Sequence, residues 1–236
     1  MSTKKAVVLL SGGLDSSTVC ALAAAEGREI YALTLNYNQR HARELDAARA
    51  VARSFNVREH LIFPIDLTLF GGSSLTDDAI VVETDVPLEE IGASIPTSYV
   101  PARNTIFLSL ALAFAETRGA NEIWLGINCV DYSGYPDCRP EYLAAFSQLA
   151  QLATKVGVEG TAIEIKAPLL RLDKSEIIRR GVELGLDYSL TRTCYDLDDA
   201  GLSCGRCEAC VLRQAGFADA GLVDPAPYRD RRPDAV

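Results

Sequence analysis

The 236-residue chain carries 23 basic and 32 acidic side chains, a formal net charge of −9, and an acidic chain is a poor non-specific ligand for nucleic acid, so a small-molecule substrate is expected in place of RNA held directly. The length suits one large domain, or one domain with a small appendage, and is enough to bury a substantial core. Lys4 and Lys5 precede only five apolar residues, too few for a secretion signal, and the longest apolar stretch, 106–115, contains Ser109 and falls far short of a membrane span.

Residues 6–10 (AVVLL) read as a first strand, followed by Ser11-Gly12-Gly13-Leu14-Asp15-Ser16 and an Ala-rich helical stretch over 18–25. A strand feeding a glycine turn and a helix N-terminus is suited to an anion: glycine permits φ > 0, and the free amides and positive dipole end face the ligand. The turn lacks the Lys-Ser/Thr of a Walker loop and the G-x-G-x-x-G of a dinucleotide fingerprint. The hexapeptide instead resembles the PP-loop of the ATP pyrophosphatases, which cleave ATP between the α- and β-phosphates. Leu10, Ser11, Gly12, Gly13, Leu14, Asp15, Ser16 and Ser17 are therefore the candidate nucleotide binders. The alternative is a simple helix cap made by Asp15 or Ser16.

Further along, 30–35 reads as a strand, 42–54 as a helix with Leu45, Ala48, Val51, Ala52 and Phe55 at helical spacing, and 59–63 as a strand. Residues 66–102 are irregular and rich in Gly, Ser, Thr, Asp and Pro, as expected of a long excursion over a site. A buried helix is expected over 103–118, strands over 122–126 and 161–166, and helices over 140–156 and 172–184. In the last of these Asp173 and Glu176 form a capping box. Alternating strands and helices predict an α/β fold with a doubly wound parallel sheet and a ligand at the carboxyl ends of its strands. Residues 1–188 are read as the nucleotide-binding catalytic domain and 189–228 as a cysteine-bearing C-terminal segment. The charged stretch from Tyr228 is read as a loose tail, with 229–236 disordered.

Cys194, Cys204, Cys207 and Cys210 follow the spacing C-x9-C-x2-C-x2-C. Four thiolates around one ion suit structural zinc, closed to substrate. An iron–sulfur cluster is the rival, although Val211 stands where such runs often carry Pro; reduced, unliganded thiols are the third possibility. Arg206 and Arg213 are placed to offset thiolate charge. Clustered cysteines without a disulfide pattern fit a reducing cytoplasm. Cys20 reads as a core residue, and neither Cys129 nor Cys138 has a nearby His to activate it.

After the fourth strand comes Asn-Cys-Val-Asp-Tyr-Ser-Gly-Tyr-Pro-Asp-Cys-Arg-Pro-Glu, residues 128–141. Asp131, Tyr132, Tyr135, Asp137 and Arg139 offer carboxylates, flat rings and a guanidinium, an inventory suited to a planar heterocycle bearing a carboxylate. A turn-rich loop with packed tyrosines is the alternative reading. Together with SGGLDS, this stretch, Tyr37-Asn38-Gln39-Arg40-His41, Tyr99-Val100-Pro101-Ala102-Arg103-Asn104 and CYD…CGRCEAC…LR resemble the 7-cyano-7-deazaguanine synthase family from about residue 5 to 228. Asn38 departs from the family's Gly; Asn tolerates the left-handed conformation well.

The resemblance implies an ATP-dependent carbon–nitrogen ligase of queuosine precursor synthesis. Its substrate is 7-carboxy-7-deazaguanine, adenylated on the carboxylate and attacked by ammonia; a second ATP activates the amide, whose oxygen is lost to leave the nitrile. It implies Mg²⁺ held by Asp15, phosphate contact by Lys174 and a homodimer. Arg103 is carried over as a catalytic residue, and Arg40, His41, Asn104, Asp131, Tyr132, Tyr135, Asp137 and Arg139 as substrate binders. From the residues alone, Lys174 reads equally as a first-turn residue, Arg103 and Asn104 as helix capping, and His41 as a structural histidine. A glutaminase domain would need on the order of another 100 to 200 residues, so free or delivered ammonia is the expected donor. A PP-loop enzyme transferring sulfur to tRNA is the alternative function, and the acidic charge argues against it.

Overall fold

The computed structural model describes residues 3–37, 43–130 and 134–229. Period-two alternation builds its layers. In β1 (Lys5–Leu9) Val7 joins one core, and Ala6 and Val8 join another on the opposite face. In β2 (Glu29–Asn36) Tyr31, Leu33 and Leu35 share the side of Val7, and Ile30 and Ala32 take the other. Strands buried on both faces belong in a parallel sheet. With β3 (Glu59–Pro64), β4 (Glu122–Trp124) and β5 (Glu164–Lys166), they run parallel in the order β3-β2-β1-β4-β5.

Helices cover both faces, as the alternation predicts. Leu108 and Phe114 of α3 (Arg103–Arg118) and Phe146 of α4 (Pro140–Ala153) fill one core. Val19 of α1 (Leu14–Ala25), Val51 of α2 (Arg43–Ser54) and Ile177 of α6, which spans Lys174–Glu183, fill the other. The strand order reverses between β1 and β4, so the loops leaving those strands diverge and open a crevice at the carboxyl edge of the sheet. Among the described residues no helix is long and apolar enough to cross a membrane.

Several boundaries differ from the sequence reading. The first helix starts at Leu14, directly on the glycine turn. The helix read over 140–156 is two, because Thr154 is extended (φ −115°, ψ 150°) and its hydroxyl caps α5 (Lys155–Val158) by accepting from the Gly157 amide at 3.1 Å. The strands read over 122–126 and 161–166 shrink to β4 and β5. A helix missed in the sequence, α7, spans Glu208–Asp219 and packs along α6, with Phe217 in the same core as Ile177. The loose tail does not begin at Tyr228: that hydroxyl donates to Asp224 at 2.5 Å, and Arg229 pairs with Asp196 at 2.7 Å. Residues 230–236 lie outside the described residues. The capping box is present, with Asp173 accepting from the Glu176 amide and Glu176 from the Asp173 amide, each at 2.8 Å.

At the amino edge of the sheet, away from the crevice, Glu122 is buried. Its carboxylate accepts from Arg28 Nε at 2.8 Å and Trp124 Nε1 at 2.9 Å, with Lys166 Nζ at 3.3 Å. Burial opposes its charge, but the bonds from Arg28, Trp124 and Lys166 outweigh that and hold its pKa below the ordinary carboxylate value. A depressed folded-state pKa gives stability that is whole above the unfolded value of about 4.5 and is lost as pH falls through the folded value. Urea melts between pH 6 and 3 should therefore show a stability loss below about pH 4.5 that is smaller in Glu122→Gln; equal slopes in the two proteins would refute the assignment.

Candidate active site

The crevice holds a cavity of about 240 Å³. One wall is the loop after β1. Gly12, at φ +83°, lies against α2 so closely that a Cβ there would meet Ala48 N at 2.5 Å and Glu44 O at 2.7 Å, which only glycine avoids. The turn then enters α1 with Gly13 as N-cap and no side chain capping the first amides. The cap reading of Asp15 and Ser16 therefore falls, and those amides are left for an anion. Ser16 Oγ accepts from Ser11 N at 3.1 Å and shares a bond with Ser11 Oγ at 2.9 Å, which locks the turn. Leu10, Ser11, Gly13, Leu14, Asp15 and Ser16 all line the cavity. Gly12 and Ser17 are absent from the lining; Ser17 is fully buried beneath the loop.

Asp15 is held by Lys174, whose Nζ donates to both carboxylate oxygens at 2.9 and 3.0 Å. Lys174 is the first residue of α6 and is 7% exposed. Its stem lies against Gly216 of α7, where a Cβ would meet Lys174 Cγ at 2.4 Å and Cβ at 2.8 Å. Gly216→Ala should displace Lys174 from Asp15, cost about 1–3 kcal/mol of stability and slow turnover. A melting temperature and a rate both equal to those of the parent would refute this.

The opposite wall starts α3. Asn104 N donates to Asp137 Oδ2 at 2.9 Å, and Asn104 Nδ2 bonds Asp137 O at 3.2 Å and Cys138 Sγ at 3.3 Å. Asp137 thus fastens the start of α3 and is absent from the cavity lining, whereas Asn104, Arg103, Tyr135 and Cys138 face it. Arg103 is surrounded by phenols. Burial opposes its charge, but Tyr37, Tyr135, Tyr195 and Asp137 raise its pKa regardless, so the cation is permanent. Burial raises the Tyr37 and Tyr135 phenols above their ordinary value. Burial, then the neighbouring Asp137, pushes the Cys138 thiol up to about 12, so it is no nucleophile. Arg139 is exposed and outside the lining. Arg40, His41, Asp131 and Tyr132 lie outside the described residues.

Four buried thiols form a second centre. The Sγ atoms of Cys194, Cys204, Cys207 and Cys210 all lie within 4.8 Å of one another, and Cys204 and Cys210 are 3.9 Å apart. Backbone amides aim at the sulfurs: Asp196 N and Cys204 N donate to Cys194 Sγ at 3.2 Å, and Cys207 N to Cys204 Sγ at 3.3 Å. The group fits one metal ion. Arg213 is not the counter-charge expected of it. It is buried and spent on Asp224 (Nη2 to Oδ1 2.9 Å), Thr191 and the Tyr188 carbonyl. The Arg206 guanidinium pairs outward with Asp85, and its backbone amide donates to Cys204 Sγ at 3.4 Å.

The sequence matches the family described as queuosine biosynthesis protein QueC over residues 5–221. This chain belongs to the QueC family. Among curated relatives, the 7-cyano-7-deazaguanine synthase of Kineococcus radiotolerans is 57% identical over 96% of this chain and 98% of its own length. That of Ralstonia pickettii is 56% identical over 95% and 99%. The solved NMN synthetase of Francisella tularensis is 18% identical, with a TM-score of 0.49 over 93% of this chain and 78% of its own.

The cavity of this QueC-family chain is also lined by residues that the sequence reading missed. Arg192, Thr193 and Tyr195 line the wall nearest the cysteines, and Arg192 N donates to Gly12 O at 2.9 Å, tying that segment to the phosphate loop. Asn128 and Phe107 also line the cavity. Tyr195 stands beside Cys194 in the Cys-Tyr-Asp motif, which is its signal in the sequence. Arg192 and Thr193 lie where Arg213, itself paired with Asp224, bonds the hydroxyls of Thr191 and Thr193 at 2.7 and 3.1 Å, an arrangement invisible without the fold.

Proposed function

We propose that this chain converts 7-carboxy-7-deazaguanine, ammonia and ATP into 7-cyano-7-deazaguanine. The observation that carries the reading is a single cavity with an uncapped glycine-loop helix start on one wall and a permanent cation among phenols on the other. The loop amides and Ser11 and Ser16 receive the phosphates, Lys174 neutralises the leaving pyrophosphate, and Asp15 takes Mg²⁺, an oxygen-seeking ion. Arg103 and Asn104 hold the acid, and Tyr37, Tyr135 and Tyr195 enclose its ring. Asp131, Tyr132, Arg40 and His41 are assigned to the same ligand by family motif, and Asp137 acts through Asn104.

A carboxylate oxygen attacks the α-phosphorus, the bond to the β-phosphate oxygen breaks, and pyrophosphate leaves. The ammonia lone pair then adds to the acyl carbon, AMP departs with the bridging oxygen, and one proton is released to give the amide. A second ATP activates the amide oxygen. Loss of that oxygen on the activating group, with two protons from nitrogen, leaves the nitrile. Positioning the carboxylate in line and stabilising negative charge on the departing phosphates are the protein's contributions.

The four-cysteine centre is assigned to Zn²⁺. Tetrahedral Zn–S bonds of about 2.3 Å put sulfurs roughly 3.8 Å apart, in accord with the 3.9 Å between Cys204 and Cys210. With four protein ligands this ion is structural. The chain works in the cytoplasm as a homodimer, for which exposed Leu149 and Leu152 of α4 and Val158 of α5 supply apolar surface. The test is incubation with Mg-ATP, ammonium and the acid, with mass spectrometry of bases and nucleotides. A nitrile with AMP and pyrophosphate is expected. No turnover by folded, metal-loaded protein overturns the reading.

A further inference from the structure

Glu208 is the first residue of α7, between the thiols of Cys207 and Cys210, yet its carboxylate turns away from them. It is 7% exposed and accepts from Ser98 Oγ at 3.4 Å. Ser98, in the long excursion before α3, is buried and also shares a 2.9 Å bond with Tyr135 OH. A hydroxyl has one proton to give. Ser98 gives it to Glu208, so the Ser98–Tyr135 bond has Tyr135 as donor. With its own proton directed at Ser98, Tyr135 turns its oxygen lone pairs toward the Arg103 cation, on the cavity wall that Tyr195 also lines.

We propose that Glu208 is a positioning residue: through Ser98 it sets the direction of the Tyr135 hydroxyl, so that the four-cysteine segment shapes the cavity wall that meets the acid. The same segment supplies Tyr195, which directly follows the thiol of Cys194 and lines that wall. Two separate parts of the segment, Glu208 through Ser98 and Tyr195 directly, thus bear on the cavity wall that carries Tyr135. The segment meets the phosphate loop through the backbone bond from Arg192 N to Gly12 O, which lies outside this chain of hydroxyls, so the effect falls on the acid and spares ATP. In its substrate the inference rests on the function proposed above; in its geometry it does not.

A purely structural alternative exists, because an acidic residue in the first turn of a helix is stabilising through the helix dipole. That role would lower the melting temperature and loosen the metal without separating the two substrates. Gln at 208 is the informative change: it keeps the volume but offers Ser98 an N–H donor as well as an acceptor, which permits the chain of hydroxyls to reverse. Ser98→Ala breaks the chain at its middle and leaves α7 untouched.

The experiment compares Glu208→Gln, Ser98→Ala, Tyr135→Phe and the double variant Glu208→Gln/Tyr135→Phe, each checked for one metal ion per chain. In Glu208→Gln and Ser98→Ala the KM for the acid is expected to rise about five- to ten-fold, the worth of one hydrogen bond, with the KM for ATP within about two-fold. The double variant is expected to match Tyr135→Phe alone, as for residues acting through one chain. An unchanged KM for the acid, a parallel rise in both KM values, or multiplying effects in the double variant would overturn the proposal. A second readout needs no substrate: in protein labelled with ¹³C at tyrosine Cζ, the Tyr135 signal, identified by its loss in Tyr135→Phe, is expected to shift in both other single variants. An unmoved signal overturns the proposal. A moved signal in a protein that ignores the acid upholds the chain of bonds and refutes the assigned substrate.

Discussion

Lys174→Met is expected to lower kcat by about 10²- to 10³-fold, the usual cost of removing a charge that faces a leaving group. Met keeps the unbranched stem that packs against Gly216 and removes only the ammonium that bonds both oxygens of Asp15. The change therefore isolates charge from packing, and the melting temperature should move far less than the rate. Pyrophosphate release in a single turnover is the measurement, since it reports the first bond broken. A rate within about three-fold of the parent would mean that Lys174 is only a structural partner of Asp15 and that the phosphates are met by the loop amides without it.

Stripping the metal is expected to have the largest effect on stability. Binding free energies at structural zinc sites are on the order of 10 kcal/mol, comparable to the whole stability of a domain at about 5–15 kcal/mol. The ligands come from a loop and from α7, which packs along α6 next to Lys174, so losing the ion should free α7 and unseat that lysine. A chelator should release one zinc per chain, lower the thermal midpoint and expose all four thiols of the cluster to a thiol reagent. Four unreactive thiols and an unmoved midpoint after complete metal removal would contradict the assignment. Release of iron and sulfide instead of zinc would replace the ion with a cluster.

What could be read in the sequence was local, and what could not was brought together by long-range packing. The glycine turn, the Asp173–Glu176 box and the C-x2-C steps are each completed within a few residues, so their chemistry is visible in one dimension. Asp137 looked like a ligand for the heterocycle because its neighbours suited one; its bond to the Asn104 amide spans 33 positions and turns it into an anchor for α3. Helix α7 is hidden because its first turn lies inside a cysteine motif that reads as a metal loop and because it is buried on nearly every side, Glu208 to Gln214 without a break, so it shows no amphipathic period. Thr154 interrupts a run with helical spacing because its hydroxyl joins two helices, donating to the Ala150 carbonyl at 2.8 Å and accepting from the Gly157 amide at 3.1 Å. Arg213 is a basic residue near thiols in sequence and the partner of Asp224 in space, and only the second of these determines what it does.

In the proposed reaction the carboxylate of the acid attacks the α-phosphorus of ATP held on the loop after β1. Acid labelled with ¹⁸O in its carboxylate, incubated with ammonium and one ATP per acid, tests it directly. AMP carrying one ¹⁸O from the acid is expected, alongside unlabelled pyrophosphate and the amide. Unlabelled AMP, or label appearing in inorganic phosphate with ADP, would contradict it and move the attack to another phosphorus.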